Sequence, residues 1–364
     1  MTTVLCISYH EENTRQNVYS KKEGILAMKK IVIEPALKAP DKLDKVISDH
    51  YRGRKGGAPS KIGPVIRGID VGVFRYPDTH PSYELVDLAK DVKEEDMCLG
   101  SIPYRVYTAK DASKNAPCFV YVHGGGFMMG ALDRLNNINR RFAEVLHGVA
   151  VHIDYTMSPE AAYPTAVDQC YFVIEELAAN AEKYGIDPGN ITVMGDSAGG
   201  NITLSMGLKD KGRGLIKNLV VYYPVVDLSS YSYEKFDMSM MGEDLDPMVV
   251  SKITSMWKGN AGSTAVGSMA GAYLHENTPA DDFHVSPLLA PKEELAGMAR
   301  TILLTAEFDF LRIQCEELLQ KMEDAGVSVE YYMYAGTFHG FLERLGVFEE
   351  SDHSIRLVAE RILA

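Results

Sequence analysis

From about residue 100 the chain settles into a regular alternation of short apolar runs with longer stretches of helical spacing. Residues 102–107, 118–123 and 149–154 read as strands, and 135–146 and 163–184 as helices. A strand at 191–194 leads into a helix at 199–209, and 219–223 and 302–305 are further apolar strands. A helix at 313–325, a strand at 328–334 and a closing helix at 353–363 complete the pattern. Buried apolar strands alternating with helices predict an α/β domain whose mostly parallel sheet is covered on both faces.

Two regions break this rhythm. Residues 1–95 are the least regular, although 38–51 has helical spacing and 52–62 has the Gly, Lys and Pro content of a loop. Met28 is an alternative start, which would make the residues before it dispensable. The interval between Asp227 and Phe283 has no strand character and is rich in Met, Ser, Tyr and Gly. A loop of that length is improbable inside a domain, so an inserted helical subdomain is expected over 228–282. The expected organisation is an N-terminal region over 1–95, a core domain over 96–227 and 283–364, and the insertion between its halves.

Composition narrows the function. The chain has 364 residues and a formal net charge of −13, with no dense basic stripe, which disfavours nucleic acid and anionic lipid as partners. No apolar run is long enough for a spanning helix, so stable membrane insertion is not expected. The first residues lack the basic and apolar regions of a secretory signal, and five scattered cysteines form no C-x-x-C. Both point to a reducing, cytoplasmic location.

The candidate chemistry centres on Gly195-Asp196-Ser197-Ala198-Gly199, a G-x-S-x-G sequence between a predicted strand and a predicted helix. Small neighbours permit a tight turn that projects the Ser197 hydroxyl above the sheet edge, where the following helix N-terminus favours developing negative charge. The plain alternative is a glycine-rich turn with an incidental serine. A serine nucleophile needs a base and an orienting acid, which in such a sheet follow in the order Ser, Asp/Glu, His. After the strand at 302–305 either Glu307 or Asp309 could be the acid; Asp309 is preferred because it lies further into the loop at the strand's C-terminal end. His339, between Phe338 and Gly340 and one helix and one strand later, is the expected base. No other histidine has metal-ligand spacing, and neither a metal nor a cofactor is expected.

Acyl transfer also needs donors for the oxyanion. His123-Gly124-Gly125-Gly126-Phe127 follows a predicted strand, and its glycines let the backbone approach a substrate closely. The amides of Gly124, Gly125 and Ala198 are the expected donors, with His123 and Gly126 supporting the loop.

Taken together, HGGGF at 123–127, GDSAGG at 195–200, EFDFLR at 307–312 and FHGF at 338–341 resemble the hormone-sensitive-lipase-like esterases of the α/β-hydrolase fold. Asp154-Tyr155 with Pro159-Glu160, Pro164 with Asp168, and Ser286-Pro287-Leu288 are similar to further segments of that family. The resemblance implies a mostly parallel eight-stranded sheet with helices on both faces and a helical cap, formed by 228–282 and part of the N-terminal region. It implies a carboxylesterase acting on a small-molecule ester of short to medium acyl chain, with Ser197, Asp309 and His339 as the triad. A deacetylase of acetylated carbohydrates with the same triad is the alternative, and a non-catalytic small-molecule receptor is disfavoured by the presence of His339. A homodimer is suggested by the family alone. The chain departs from the family at Thr156-Met157-Ser158, where Arg-Leu-Ala is usual, and at Ile313-Gln314, where acidic residues are usual.

Overall fold

β-Branched and aromatic side chains, buried at successive positions, form the centre of one sheet. The computed structural model describes residues 3–8, 21–22, 25–26, 29–34, 65–66, 69–79, 84–229, 234–242, 245–261, 266–274 and 278–364. Its strands are β1 (Thr3–Ser8), β2 (Lys29–Glu34), β3 (Val92–Leu99), β4 (Ile102–Ala109), β5 (Ala116–Val122), β6 (Val149–Ile153), β7 (Ile186–Asp196), β8 (Asn218–Tyr222), β9 (Arg300–Phe308) and β10 (Val329–Phe338). They form a 10-stranded sheet in the order β1-β2-β10-β9-β8-β7-β5-β6-β4-β3. Every neighbouring pair is parallel except β6 with β4 and β4 with β3. The eight strands β3–β10 are the mostly parallel sheet that the family implies; β1 and β2 extend it beyond β10.

The major helices are α1 (Val71–Thr79), α2 (Asn136–Val145), α3 (Thr165–Ala179), α4 (Ala198–Asp210), α5 (Pro247–Ala261), α6 (Val266–Tyr273), α7 (Leu311–Asp324) and α8 (Glu349–Leu363). Strand alternation divides the core between two faces. Along β5, Cys118, Val120 and Val122 join a cluster with α3, α4 and α7, including Ile174, Ile202 and Leu318. Phe119 and Tyr121 point the other way and join Phe142 of α2 and Ile355 of α8. Phe119 and Phe142 stack with ring centres 4.1 Å apart.

Three strands lay outside the expected pattern. β3 exposes Lys93, Glu94, Glu95 and Asp96 along the sheet edge, so it lacks an apolar face; charge on an edge strand blocks pairing with another chain. β1 and β2 fall within the irregular N-terminal region. The helix expected over 38–51, the loop over 52–62 and the alternative start at Met28 lie outside the described residues. In the 228–282 interval the described elements are α5, α6 and a 3₁₀ turn at Met238–Met241. Met241, Val249 and Ile253 pack with the cluster on the α2 and α8 side, whereas Ala270 and Tyr273 pack with the other. Among the described residues no helix is long and apolar enough to cross a membrane.

Candidate active site

The parallel strands deliver their C-terminal ends to one rim, and the motif residues lie there. β7 runs directly into Ser197, which has φ 52° and ψ −118° and precedes α4. This positive φ is uncommon for a residue with a side chain, and the turn is held by hydrogen bonds. The Ser197 amide donates to the Tyr222 carbonyl at 2.9 Å, and its carbonyl accepts the Val225 amide at 3.1 Å. The small neighbours are a steric requirement. A Cβ on Gly195 would lie 2.1 Å from the Gly199 carbonyl oxygen, and one on Gly199 would lie 2.0 Å from the Val122 carbonyl oxygen.

His339 lies just beyond β10, with its side chain 20% exposed. Its Nε2 is 2.9 Å from Ser197 Oγ and its Nδ1 is 2.6 Å from Asp309 Oδ2. Asp309 is fully buried; its other oxygen accepts the Leu311 amide at 3.0 Å, which fixes the carboxylate at the start of α7. Glu307, the alternative acid, instead accepts the Gly336 amide at 2.6 Å. Burial opposes protonation of His339, but the charge and hydrogen bond of Asp309, with Asp196 and Glu343 adding, hold its pKa above the ordinary imidazole value. The Tyr223 ring backs the imidazole at 4.7 Å.

The glycine loop is anchored mainly through its first residues. Gly124 donates its amide to Asp196 Oδ1 at 2.8 Å, and the same oxygen accepts the Tyr121 hydroxyl at 2.7 Å. This corrects the expectation for Gly124: its N–H is already engaged and is not a free oxyanion donor. Gly125 and Gly126 have φ values of 109° and 60°, and the Gly125 carbonyl accepts the amides of Met128 and Met129. Ala198 is the first residue of α4, where an amide has no helical partner.

His123 supports the loop: Nδ1 pairs with the Gly124 carbonyl at 2.8 Å, and the ring stacks on Tyr155 at 4.3 Å. Burial pushes its pKa below the usual value. Asp196 is fully buried, and its pKa is pushed up to about 6, first by burial and then by the charge of Glu343.

Several contributors carried no motif. Tyr121 shares a strand face with Phe119 by period-two alternation, which was the available signal for it. Arg75 and Asp78 of α1 reach the glycine loop from outside it: Arg75 Nε donates to the Met128 carbonyl at 2.9 Å, and Asp78 Oδ2 accepts the Gly130 amide at 3.0 Å. At one family departure, Gln314 Oε1 accepts the amides of Val226 and Asp227 at 2.8 and 3.1 Å. A neutral amide oxygen thereby serves as the acceptor.

A hydroxyl, an imidazole and a carboxylate lie in series beside a glycine loop at the rim of this sheet, and the family and relatives that the chain matches make it a carboxylic ester hydrolase. The chain belongs to the α/β-hydrolase fold family, whose profile matches residues 119–343. It is similar to the carboxylesterase NlhH of Mycobacterium tuberculosis, with 29% identity over 267 residues, covering 70% of this chain and 77% of that protein. An arylesterase of Saccharolobus solfataricus is 28% identical over 256 residues, covering 69% of this chain and 75% of its own. The solved esterase of Pyrobaculum calidifontis superposes with a TM-score of 0.72 at 26% identity, over 88% of this chain and 98% of that one.

Proposed function

We propose that the protein is a serine carboxylesterase working through a covalent acyl-enzyme on small esters of short to medium acyl chain. The observation that carries this reading is His339 bridging Ser197 at 2.9 Å and Asp309 at 2.6 Å. Ser197 Oγ attacks the ester carbonyl as His339 Nε2 takes its proton. Asp309 orients the ring and stabilises the imidazolium. The amides of Gly125, Gly126 and Ala198 receive the oxyanion. The imidazolium returns its proton to the leaving alcohol, and water, activated by the same imidazole, then releases the acid.

In this reading residues 228–282 and part of the N-terminal region cover the substrate. Supporting contacts reach the site from both. The Tyr273 ring stacks on Phe127, immediately after the glycines, at 3.8 Å. Lys252 Nζ lies 5.6 Å from the centre of the Phe338 ring, beside His339. From the N-terminal side, α1 holds the glycine loop through Arg75 and Asp78. Cys98, Cys118, Cys170 and Cys315 are free thiols, which suits a reducing compartment such as the cytoplasm. The homodimer suggested by the family is tested by the protein's mass in solution.

The central experiment is hydrolysis of p-nitrophenyl acetate and butyrate by wild type and Ser197→Ala. Turnover should vanish in the variant while its circular dichroism is unchanged; undiminished turnover would remove the assignment. Parallel assays with longer acyl chains and acetylated xylooligosaccharides separate a general carboxylesterase from a carbohydrate deacetylase.

A further inference from the structure

The glycine loop and the histidine loop follow β5 and β10, strands separated in the sheet by β7, β8 and β9, and one guanidinium joins them. Arg134 follows the glycine loop and is 11% exposed. Its Nη1 donates to Asp78 Oδ1 at 2.9 Å, and its Nη2 donates to Glu343 Oε2 at 2.5 Å. The two carboxylates are 6% and 17% exposed, so solvent screens the bridge little. Each acid contacts a different part of the site. The second oxygen of Asp78 holds the Gly130 amide. Glu343 belongs to the 3₁₀ turn Phe341–Arg344 that directly follows the His339 segment.

The glycine loop cannot fix its own position by side-chain packing at Gly124, Gly125, Gly126 and Gly130, so external contacts must do it. Asp196 holds its inner end, whereas Asp78 and Arg75 hold its outer end. Resting on the esterase reading above, we propose that Arg134 is a positioning residue: the Asp78–Arg134–Glu343 bridge sets the oxyanion loop against the catalytic histidine. It contacts neither nucleophile nor base, and it acts through the two carboxylates.

The bridge also governs charge. His339 faces Asp309, Asp196 and Glu343, all of which favour its protonated form, together with the Ser197 hydroxyl and the Tyr223 ring. Arg134 offsets Glu343 from the far side, with Arg344 a weaker partner at 3.4 Å. Removing Arg134 takes away the closer of the two guanidinium groups on Glu343 and strengthens the pull of that carboxylate on the His339 proton; removing the Glu343 charge does the opposite.

The test compares Arg134→Met, Arg134→Lys and Glu343→Gln with wild type on p-nitrophenyl butyrate across pH. For Arg134→Met, kcat should fall about 10- to 100-fold, as for a misplaced reacting geometry, with KM little changed. The acid limb of kcat/KM should move up in Arg134→Met and down in Glu343→Gln. A residue that only supports folding would lower Tm without moving the two limbs in opposite directions. Should Arg134→Met not fold, Arg134→Lys keeps the charge and loses the fork, so kcat should fall while the limb stays in place. Folded variants with wild-type kcat and unmoved limbs would overturn the proposal. A wild-type protein without turnover removes the esterase reading instead, and the proposal with it.

Discussion

Asp196 accepts the Gly124 amide at 2.8 Å, so the residue preceding Ser197 fixes the first glycine of the glycine loop. The same carboxylate oxygen receives the Tyr121 hydroxyl at 2.7 Å. The Ser197 turn and the loop are therefore one hydrogen-bonded unit.

Asp196→Ala should loosen that unit. It leaves a buried amide and a buried phenol without their acceptor, at about 1–3 kcal/mol for each. We expect a lower Tm in thermal unfolding and a kcat at least tenfold lower at a temperature where the variant is folded. Wild-type kcat in this variant would show that the carboxylate does not hold the loop.

The two acids after β9 should separate cleanly. Asp309→Asn removes the carboxylate on His339 and should lower kcat by about 10⁴, as expected when an imidazole is held in the wrong tautomer. Glu307→Gln retains an acceptor for the Gly336 amide and should stay within a few-fold of wild type. Steady-state rates of both variants decide the assignment, and comparable losses would contradict it.

The pH profile follows from the sign of the histidine shift. His339 must be neutral to act as base, and its pKa lies above the ordinary 6.5. Activity should therefore be lost as pH falls through a midpoint above that value. Asp196, with a pKa of about 6, takes up its proton later in the descent. The acid limb of kcat/KM should accordingly steepen in its lower part. A midpoint below 6.5 would mean that the Asp309 carboxylate does not govern the base.

Two glycine substitutions should have opposite outcomes. A Cβ at position 199 would lie 2.0 Å from the Val122 carbonyl oxygen and 2.5 Å from that of His123. Both are backbone atoms, so Gly199→Ala should abolish activity and sharply lower Tm. For Gly271, exposed on α6, no atom of the described residues beyond its chain neighbours and its own helix backbone lies within 4 Å of such a Cβ. Gly271→Ala should stabilise α6 by up to about 1 kcal/mol through helix propensity, visible as a small rise in Tm.

The sequence made the central sheet readable where burial is continuous. The runs around Val120, Val151, Val220 and Leu303 are apolar because both faces of their strands are covered, and these became β5, β6, β8 and β9. β3 was hidden because its exposed charges carry no period. That Ser197, Asp309 and His339 come together was legible because each follows a recognisable strand. The engagement of Gly124 was not, since three consecutive glycines look alike until the carboxylate that holds one of them is located. Arg75, Asp78, Arg134 and Glu343 were illegible for a related reason: long polar side chains on helices and turns read as solvated, and only the folded chain reveals that they converge.

The strained backbone at Ser197 has a thermodynamic consequence. A side chain at φ 52° and ψ −118° sits in a sparsely populated region that costs on the order of 1–3 kcal/mol, whereas glycine enters it freely. Exchanging Ser197 for glycine would thus relieve the folded state of that strain while, on the proposed mechanism, ending the chemistry. Stability and turnover make opposite demands on this one position, and the sequence retains the residue that stability disfavours.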